Sequence, residues 1–191
     1  MTDTQWPRFQ VFLQEKENDP YQDVGSVHAP DLELALLNAR DVFVRRPECH
    51  ALWVVPARAI YSRTAEELSH HSVEIHEAQD TPEKYYIFCK HMPAGTQTYA
   101  GEVNAGSAEE ALLQGIQSYT RKRTPFVWWV FRERDVLQSD PADAPSFFDP
   151  AYDKKFRLST DFHTVSAMRQ VRGAKKLPET QFSDDACALP E

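Results

Sequence analysis

Basic residues are too few to balance the acidic ones in this 191-residue sequence: 21 Lys and Arg against 29 Asp and Glu give a formal net charge of −8. Binding to nucleic acid or to an anionic membrane needs clusters of Lys and Arg. The basic and aromatic stretch at 119–131 is better explained as a helix end followed by a core strand. We therefore expect no nucleic-acid or membrane partner, and expect proteins or small molecules instead.

Cysteine, glycine and long apolar runs are also scarce. The three cysteines form no CxxC pair, so we expect reduced thiols rather than a disulfide framework. The six glycines follow no phosphate-binding order such as GxGxxG. The longest apolar run, Phe126–Phe131, is too short to span a bilayer, and the first residues lack the features of a signal peptide. These absences predict a soluble cytoplasmic protein.

Few residues are candidates for metal binding. A di-iron carboxylate site in a helix bundle needs two Glu-x-x-His motifs, and the sequence contains one, at Glu67–His70. The neighbouring His71, Glu74 and His76 can bind a divalent metal if this segment is helical. A solvated acidic segment is the simpler explanation, and we predict no metal site.

Two cysteines have a histidine close in sequence. Cys49 precedes His50, and Cys89 lies two positions before His91. No third residue is placed to orient the histidine as a base, and buried thiols are ordinary in strands. We therefore predict no catalytic residues in this chain.

One pattern occurs twice in the chain. Residues 9–61 align with residues 85–137 without a gap, at a constant spacing of 76 positions. The identical pairs at this spacing include Phe12/Phe88, Gly25/Gly101, Ala35/Ala111, Leu36/Leu112, Trp53/Trp129 and Val54/Val130. A constant offset across so many pairs indicates an internal duplication.

Each copy has the same predicted order of elements. An apolar or aromatic strand leads through a turn into a second strand. A helix follows, with Asp31 or Ser107 at the N-cap, and Ser107 with Glu110 predicts a capping box. Apolar residues recur at helical spacing behind each cap, and an apolar strand completes a β-β-α-β unit.

The predicted fold class is α+β, with two tandem β-β-α-β modules that form a pseudo-dimer. A three-stranded sheet under one helix buries little area and leaves strand edges exposed, so such a unit is expected to pair with another. We place the first module at 1–61, an acidic His-containing linker with a helical stretch at 62–84, and a diverged second module at 85–137. An extended arm rich in Pro, Asp and aromatic residues follows at 138–173, and a disordered tail at 174–191.

The first module resembles a known family. The turn SVHAPD, the helix ALLNARD, the pair RR and the strand LWVVPA are similar to the core of the PaaB family, the B subunit of the ring-1,2-phenylacetyl-CoA epoxidase. The opening WPRFQVF and the later FFDPAYDKKFR resemble the start and the tail of that family. The second module departs from it, because Asn104 replaces His28 and Ser107 replaces Asp31.

The resemblance implies a non-catalytic subunit without a cofactor of its own. In the family's complex the A subunit holds a di-iron centre, a structural C subunit pairs with it, and a reductase supplies electrons from NADPH. The family's own protein forms a bridge between A–C pairs, and phenylacetyl-CoA is converted with O2 to a ring epoxide. We therefore expect the A and C subunits as partners, and leave contact with the reductase and self-association open.

Together with the resemblance, the polar face of the first helix and the tail predict a partner-docking surface. Its residues are His28, Asp31, Asn38, Arg40, Asp41, Arg45, Arg46, Phe147, Phe148, Asp153 and Lys154. Arginine and aromatic residues often dominate binding energy, although a helix cap or a dipole partner would explain several of these residues as well. The alternative hypothesis is a stand-alone ligand- or metal-binding enzyme that uses the linker histidines or the cleft between the modules.

Overall fold

The computed structural model describes residues 5–44, 49–70, 73, 81–120, 124–152 and 168. The elements of the first half are β1 (Arg8–Gln14), β2 (Gln22–His28), α1 (Leu32–Phe43), β3 (Ala51–Pro56), β4 (Tyr61–Thr64) and α2 (Ala65–His70). Those of the second half are β5 (Glu83–Lys90), β6 (Thr98–Ala105), α3 (Ala108–Tyr119), β7 (Val127–Arg132), β8 (Leu137–Gln138) and α4 (Ala144–Tyr152). Module one hereafter means β1 to β3 with α1, and module two means β5 to β7 with α3.

Both long helices begin at the predicted caps. The Asp31 carboxylate accepts a hydrogen bond from the Leu34 N–H at 2.8 Å, and the Ser107 hydroxyl accepts one from the Glu110 N–H at 3.2 Å. The return bond of the predicted capping box is displaced by one residue, because the Glu110 carboxylate accepts from the N–H of Gly106. The caps satisfy backbone donors that have no partner inside the helix.

Eight strands of the described residues form one sheet, in the order β4-β7-β5-β6-β2-β1-β3-β8. The order reads the same from both ends when each element is replaced by its counterpart 76 positions away. The modules meet where β2 pairs with β6 at Gln22 and Thr98. Asp23 N–H donates to the Gln97 carbonyl at 2.8 Å, and Tyr99 N–H donates to the Tyr21 carbonyl at 2.9 Å. These two bonds exchange under the same 76-residue shift, so a pseudo-twofold axis passes between the two strands.

The two modules also exchange their last strands. Strand β4 follows module one in the chain but pairs with β7 of module two, with Ser62 opposite Trp129. Strand β8 follows module two but pairs with β3 of module one, with Gln138 opposite Trp53. The exchange covers an edge of each module that would otherwise present unpaired backbone groups. The expected tandem pseudo-dimer is therefore the observed architecture.

An aromatic cluster joins the modules on the sheet face that carries no helix. Phe12 of β1 and Phe88 of β5 have ring centroids 4.4 Å apart, and Trp53 lies 4.7 Å from Tyr86. In a flat sheet, β1 and β5 would stand about 14 Å apart, since two strands lie between them at about 4.8 Å spacing. The sheet must therefore curve, so that the helix-free face of module one packs against the helix-free face of module two.

Two further cores lie under the helices. Helix α1 covers module one through Ala35, Leu36 and Ala39, and α3 covers module two through Ala111 and Leu112. Along β1, β3, β5 and β7 the buried side chains alternate between the core under the helix and the shared aromatic cluster, as a period-two pattern requires. Met1–Lys154 form one compact unit that holds both modules.

Two segments differ from the sequence-based expectation. The start of the predicted linker, at residue 62, lies within β4 (Tyr61–Thr64), which was not expected, whereas α2 (Ala65–His70) agrees with the helical stretch expected in the linker. Strand β4 escaped prediction because it is four residues long and pairs with a distant strand. Residues 144–152, predicted as part of an extended arm, form helix α4. The helix is favoured by burial, because Phe148 is 3% exposed and packs into the core beneath α1. The proposed tail 174–191 lies outside the described residues.

Candidate functional site

His28 lies exposed at the end of β2 and joins three segments of module one. Its Nδ1 is 2.8 Å from the carbonyl oxygen of Trp6, and a carbonyl can only accept, so Nδ1 carries the proton in this contact. The Asn38 amide of α1 donates to the His28 carbonyl at 3.2 Å. His28 and Asn38 therefore hold the entering chain, β2 and α1 together at one end of the module.

The other predicted residues of α1 also make contacts within the chain. Asp31 caps the helix. The Arg40 Nε lies 3.2 Å from an oxygen of Asp41, and the Arg40 guanidinium lies 5.2 Å from the centroid of the Phe147 ring. Arg40 is thus positioned between its own helix and α4, and Asp41 is exposed.

The predicted residues beyond α1 divide into two groups. Phe148 is buried in the core and Phe147 is half-buried beneath Arg40, which places Phe148 in the interior rather than on the exposed surface where we expected it. Arg45, Arg46, Asp153 and Lys154 lie outside the described residues.

An open pocket of about 520 Å³ lies next to His28 and the start of α1. Its apolar lining comes from Pro7, Phe9, Pro30, Leu32 and Pro56. Its charged residues are Arg8, Asp31 and Arg58, all exposed. The pocket thus combines an apolar floor with a rim that carries two positive groups and one negative group.

Six of these residues belong to the stretches on which the family resemblance rests. Pro30 and Asp31 end the SVHAPD turn, Pro56 lies in the LWVVPA strand, and the opening WPRFQVF contains Pro7, Arg8 and Phe9. The tertiary fold brings these separate stretches to one end of the module. Sequence reasoning did not select Arg8 or Arg58, and comparing the two copies does not mark them either, because their counterparts Lys84 and Arg134 are also basic.

The equivalent end of module two carries a network of ion pairs. Glu83 accepts from Arg134 at 2.7 Å and lies 3.2 Å from Arg132. Lys84 lies 2.8 Å from Glu102 and 3.2 Å from Glu133. Glu83, Lys84, Arg132, Glu133 and Arg134 are the counterparts, 76 positions later, of Pro7, Arg8, Pro56, Ala57 and Arg58. The two modules therefore present different chemistry at the same structural position.

Glu133→Gln is expected to lower the melting temperature more at neutral pH than in acid. The hydrogen bond from the Tyr86 hydroxyl, at 2.8 Å, and the contact with Lys84 lower the pKa of Glu133 from its ordinary value of 4.5. Because the folded-state pKa is lowered, the stabilisation is present above the unfolded-state pKa and is lost as pH falls through the lowered pKa. Thermal unfolding of both proteins at about pH 7 and about pH 3 measures this. An equal difference in melting temperature at the two pH values would contradict the ionic role of Glu133.

A second cavity, of about 340 Å³, is lined by Cys89, His91, Tyr99 and Tyr119. The Cys89 Sγ lies 3.4 Å from the His91 Nε2. Burial raises the pKa of the Cys89 thiol, which favours the protonated form and lowers its reactivity. Burial likewise raises the pKa of Cys49 to about 12. Neither thiol has the lowered pKa that an activated nucleophile requires.

The single Glu-x-x-His motif serves helix α2. The Glu67 carboxylate accepts from the Thr64 N–H at 2.8 Å, and the Thr64 hydroxyl accepts from the Glu67 N–H at 3.1 Å. This reciprocal pair is a capping box. His71, Glu74 and His76 lie outside the described residues, and the described part of the chain contains no group of three or more potential metal ligands.

Of the helices in the described part of the chain, none combines the length and apolar character needed to cross a membrane.

Comparison with known proteins gives one family. The family model described as "Phenylacetic acid degradation B" matches the chain twice, at residues 5–86 and 81–169. The B subunit of the 1,2-phenylacetyl-CoA epoxidase of Escherichia coli (strain K12) is 42% identical over 67 residues, which cover 35% of this chain and 70% of that protein. No solved structure matches the chain. Since the two family matches together span most of its length, the chain belongs to the phenylacetic acid degradation B family, in a tandem form.

Proposed function

We propose that this chain is a non-catalytic bridging component of a multicomponent phenylacetyl-CoA epoxidase in aerobic phenylacetate catabolism. The observation that carries the proposal is the double match to the family, joined to the identity with a protein named as the B subunit of that epoxidase. The coarser statement, that the chain is related to an epoxidase component, follows from the family. The bridging role, the partners and the absence of catalysis belong to the proposal.

The proposed partners are the catalytic A subunit, which would hold the di-iron centre, and the structural C subunit. The chain itself is proposed to hold no cofactor. The pseudo-twofold arrangement gives the chain two related ends, as a bridge between subunits requires. The proposed contact region includes the end of module one around His28 and Asp31, where both side chains are exposed.

Co-expression of this chain with the A and C subunits tests the proposal. We expect a stable complex in size-exclusion chromatography with light scattering. We also expect that epoxidation of phenylacetyl-CoA, with the reductase and NADPH added, is lost when this chain is omitted. An A–C pair that is fully active alone, with this chain eluting separately, would overturn the proposed function.

A further inference from the structure

The end of module one carries an open pocket, and the same end of module two carries paired charges. The module-one pocket is lined by Pro7 and Pro56 where module two has Glu83 and Arg132. In module two these two side chains form an ion pair of 3.2 Å. Because each carboxylate there already has a cationic partner, that surface has little left to offer a ligand.

The two arginines at the module-one pocket differ from these paired charges. Within the described part of the chain, neither Arg8 nor Arg58 makes an ion pair or a side-chain hydrogen bond. The Asp31 carboxylate already accepts the helix-capping bond from Leu34. Although the whole chain carries a net charge of −8, this pocket presents two exposed guanidiniums. These groups favour a ligand that carries a carboxylate.

The size and openness of the pocket favour a protein segment over a small molecule. Small-molecule sites bury most of the ligand surface, whereas Pro7, Arg8, Pro30, Asp31 and Arg58 are all exposed. Its volume of about 520 Å³ accommodates more than one large side chain. Trp6, immediately before Pro7, is 59% exposed, and exposed tryptophan beside an apolar pocket is typical of protein-binding surfaces.

We propose that the module-one pocket binds a segment of a partner protein that presents a large apolar side chain next to a carboxylate, and that module two has no such site. The partner class rests on the proposed function, in which that protein is a subunit of the epoxidase. A symmetric pair of modules would bind two copies of the segment. This asymmetric pair binds one.

Two variants of the full chain test the pocket. Pro7→Glu with Pro56→Arg and Ala57→Glu copies the module-two charges onto module one, and Arg8→Glu with Arg58→Glu reverses the rim charge. Each is expected to raise the Kd for the purified A–C pair by about tenfold or more, measured by isothermal titration calorimetry. Circular dichroism and thermal unfolding show that each variant is folded, and the second variant, which changes only exposed side chains, serves if the first fails to fold.

The matched control is Lys84→Glu with Arg134→Glu, the same charge reversal at the equivalent positions of module two. We expect the control to bind the A–C pair as tightly as the unaltered chain. Equal Kd values for the control and the pocket variants would overturn the inference while leaving the bridging role intact. Failure of the unaltered chain to bind would overturn the proposed function and this inference together.

Light scattering of the chain alone tests whether a second copy of this chain occupies the pocket. A dimer that both pocket variants convert to a monomer would assign the pocket to a second copy of this chain and overturn the assignment to another component of the epoxidase. A monomer under all conditions is the expected result.

Discussion

Phe12→Ala is expected to lower the free energy of unfolding of both modules together, by about 3–5 kcal/mol. Phe12 is fully buried in the aromatic cluster that joins the modules, and its ring contacts those of Phe88 and Phe131, which belong to module two. The substitution leaves a cavity that neither module can fill alone. Denaturant unfolding by circular dichroism measures the loss.

Hydrogen exchange locates the effect of Phe12→Ala. We expect the amides of β1 and β5 to lose protection together, because the shared cluster and the exchanged strands couple the modules. Phe126→Ala is the matched control, since that ring is 46% exposed and exposed substitutions usually change stability by about 0.5 kcal/mol or less. Loss of protection confined to β1 would contradict the coupling.

Phe148→Ala is expected to cost about 3–5 kcal/mol of stability as well. This ring belongs to α4 and is part of the core under α1 that also contains Phe9 and Val11. Phe147→Ala is expected to cost less, because that ring is only half-buried and stacks beneath Arg40. Chemical denaturation of the two variants side by side gives the comparison.

Phe148→Ala also tests whether this ring stabilises the fold or belongs to the partner-docking surface. If Phe148→Ala left stability unchanged and instead weakened assembly with the A–C pair, the ring would belong to the docking surface that the sequence alone suggested. The expected result is a less stable chain. Any weaker assembly should then disappear at a temperature where the variant remains folded.

The candidate site was only partly accessible to sequence reasoning. His28 and Asp31 were identified, and both lie exposed beside the pocket. Arg8, Pro56 and Arg58 were not, because no local pattern marks a residue whose importance comes from neighbours in other strands. For Pro56 a signal lies in the difference between the copies, since its counterpart is Arg132, whereas Arg8 and Arg58 have basic counterparts in Lys84 and Arg134.

Local interactions explain what the residues alone could predict: the duplication, the order of elements, the two helix caps and the family. A cap and a helical period involve residues within a few positions of each other, so they are readable along the chain. The exchange of β4 and β8, the contact between the aromatic faces and the ion pairs at the equivalent end of module two are different. They depend on pairs such as Ser62 with Trp129 and Glu83 with Arg132, which are far apart in sequence and meet only when distant strands pair in the tertiary fold.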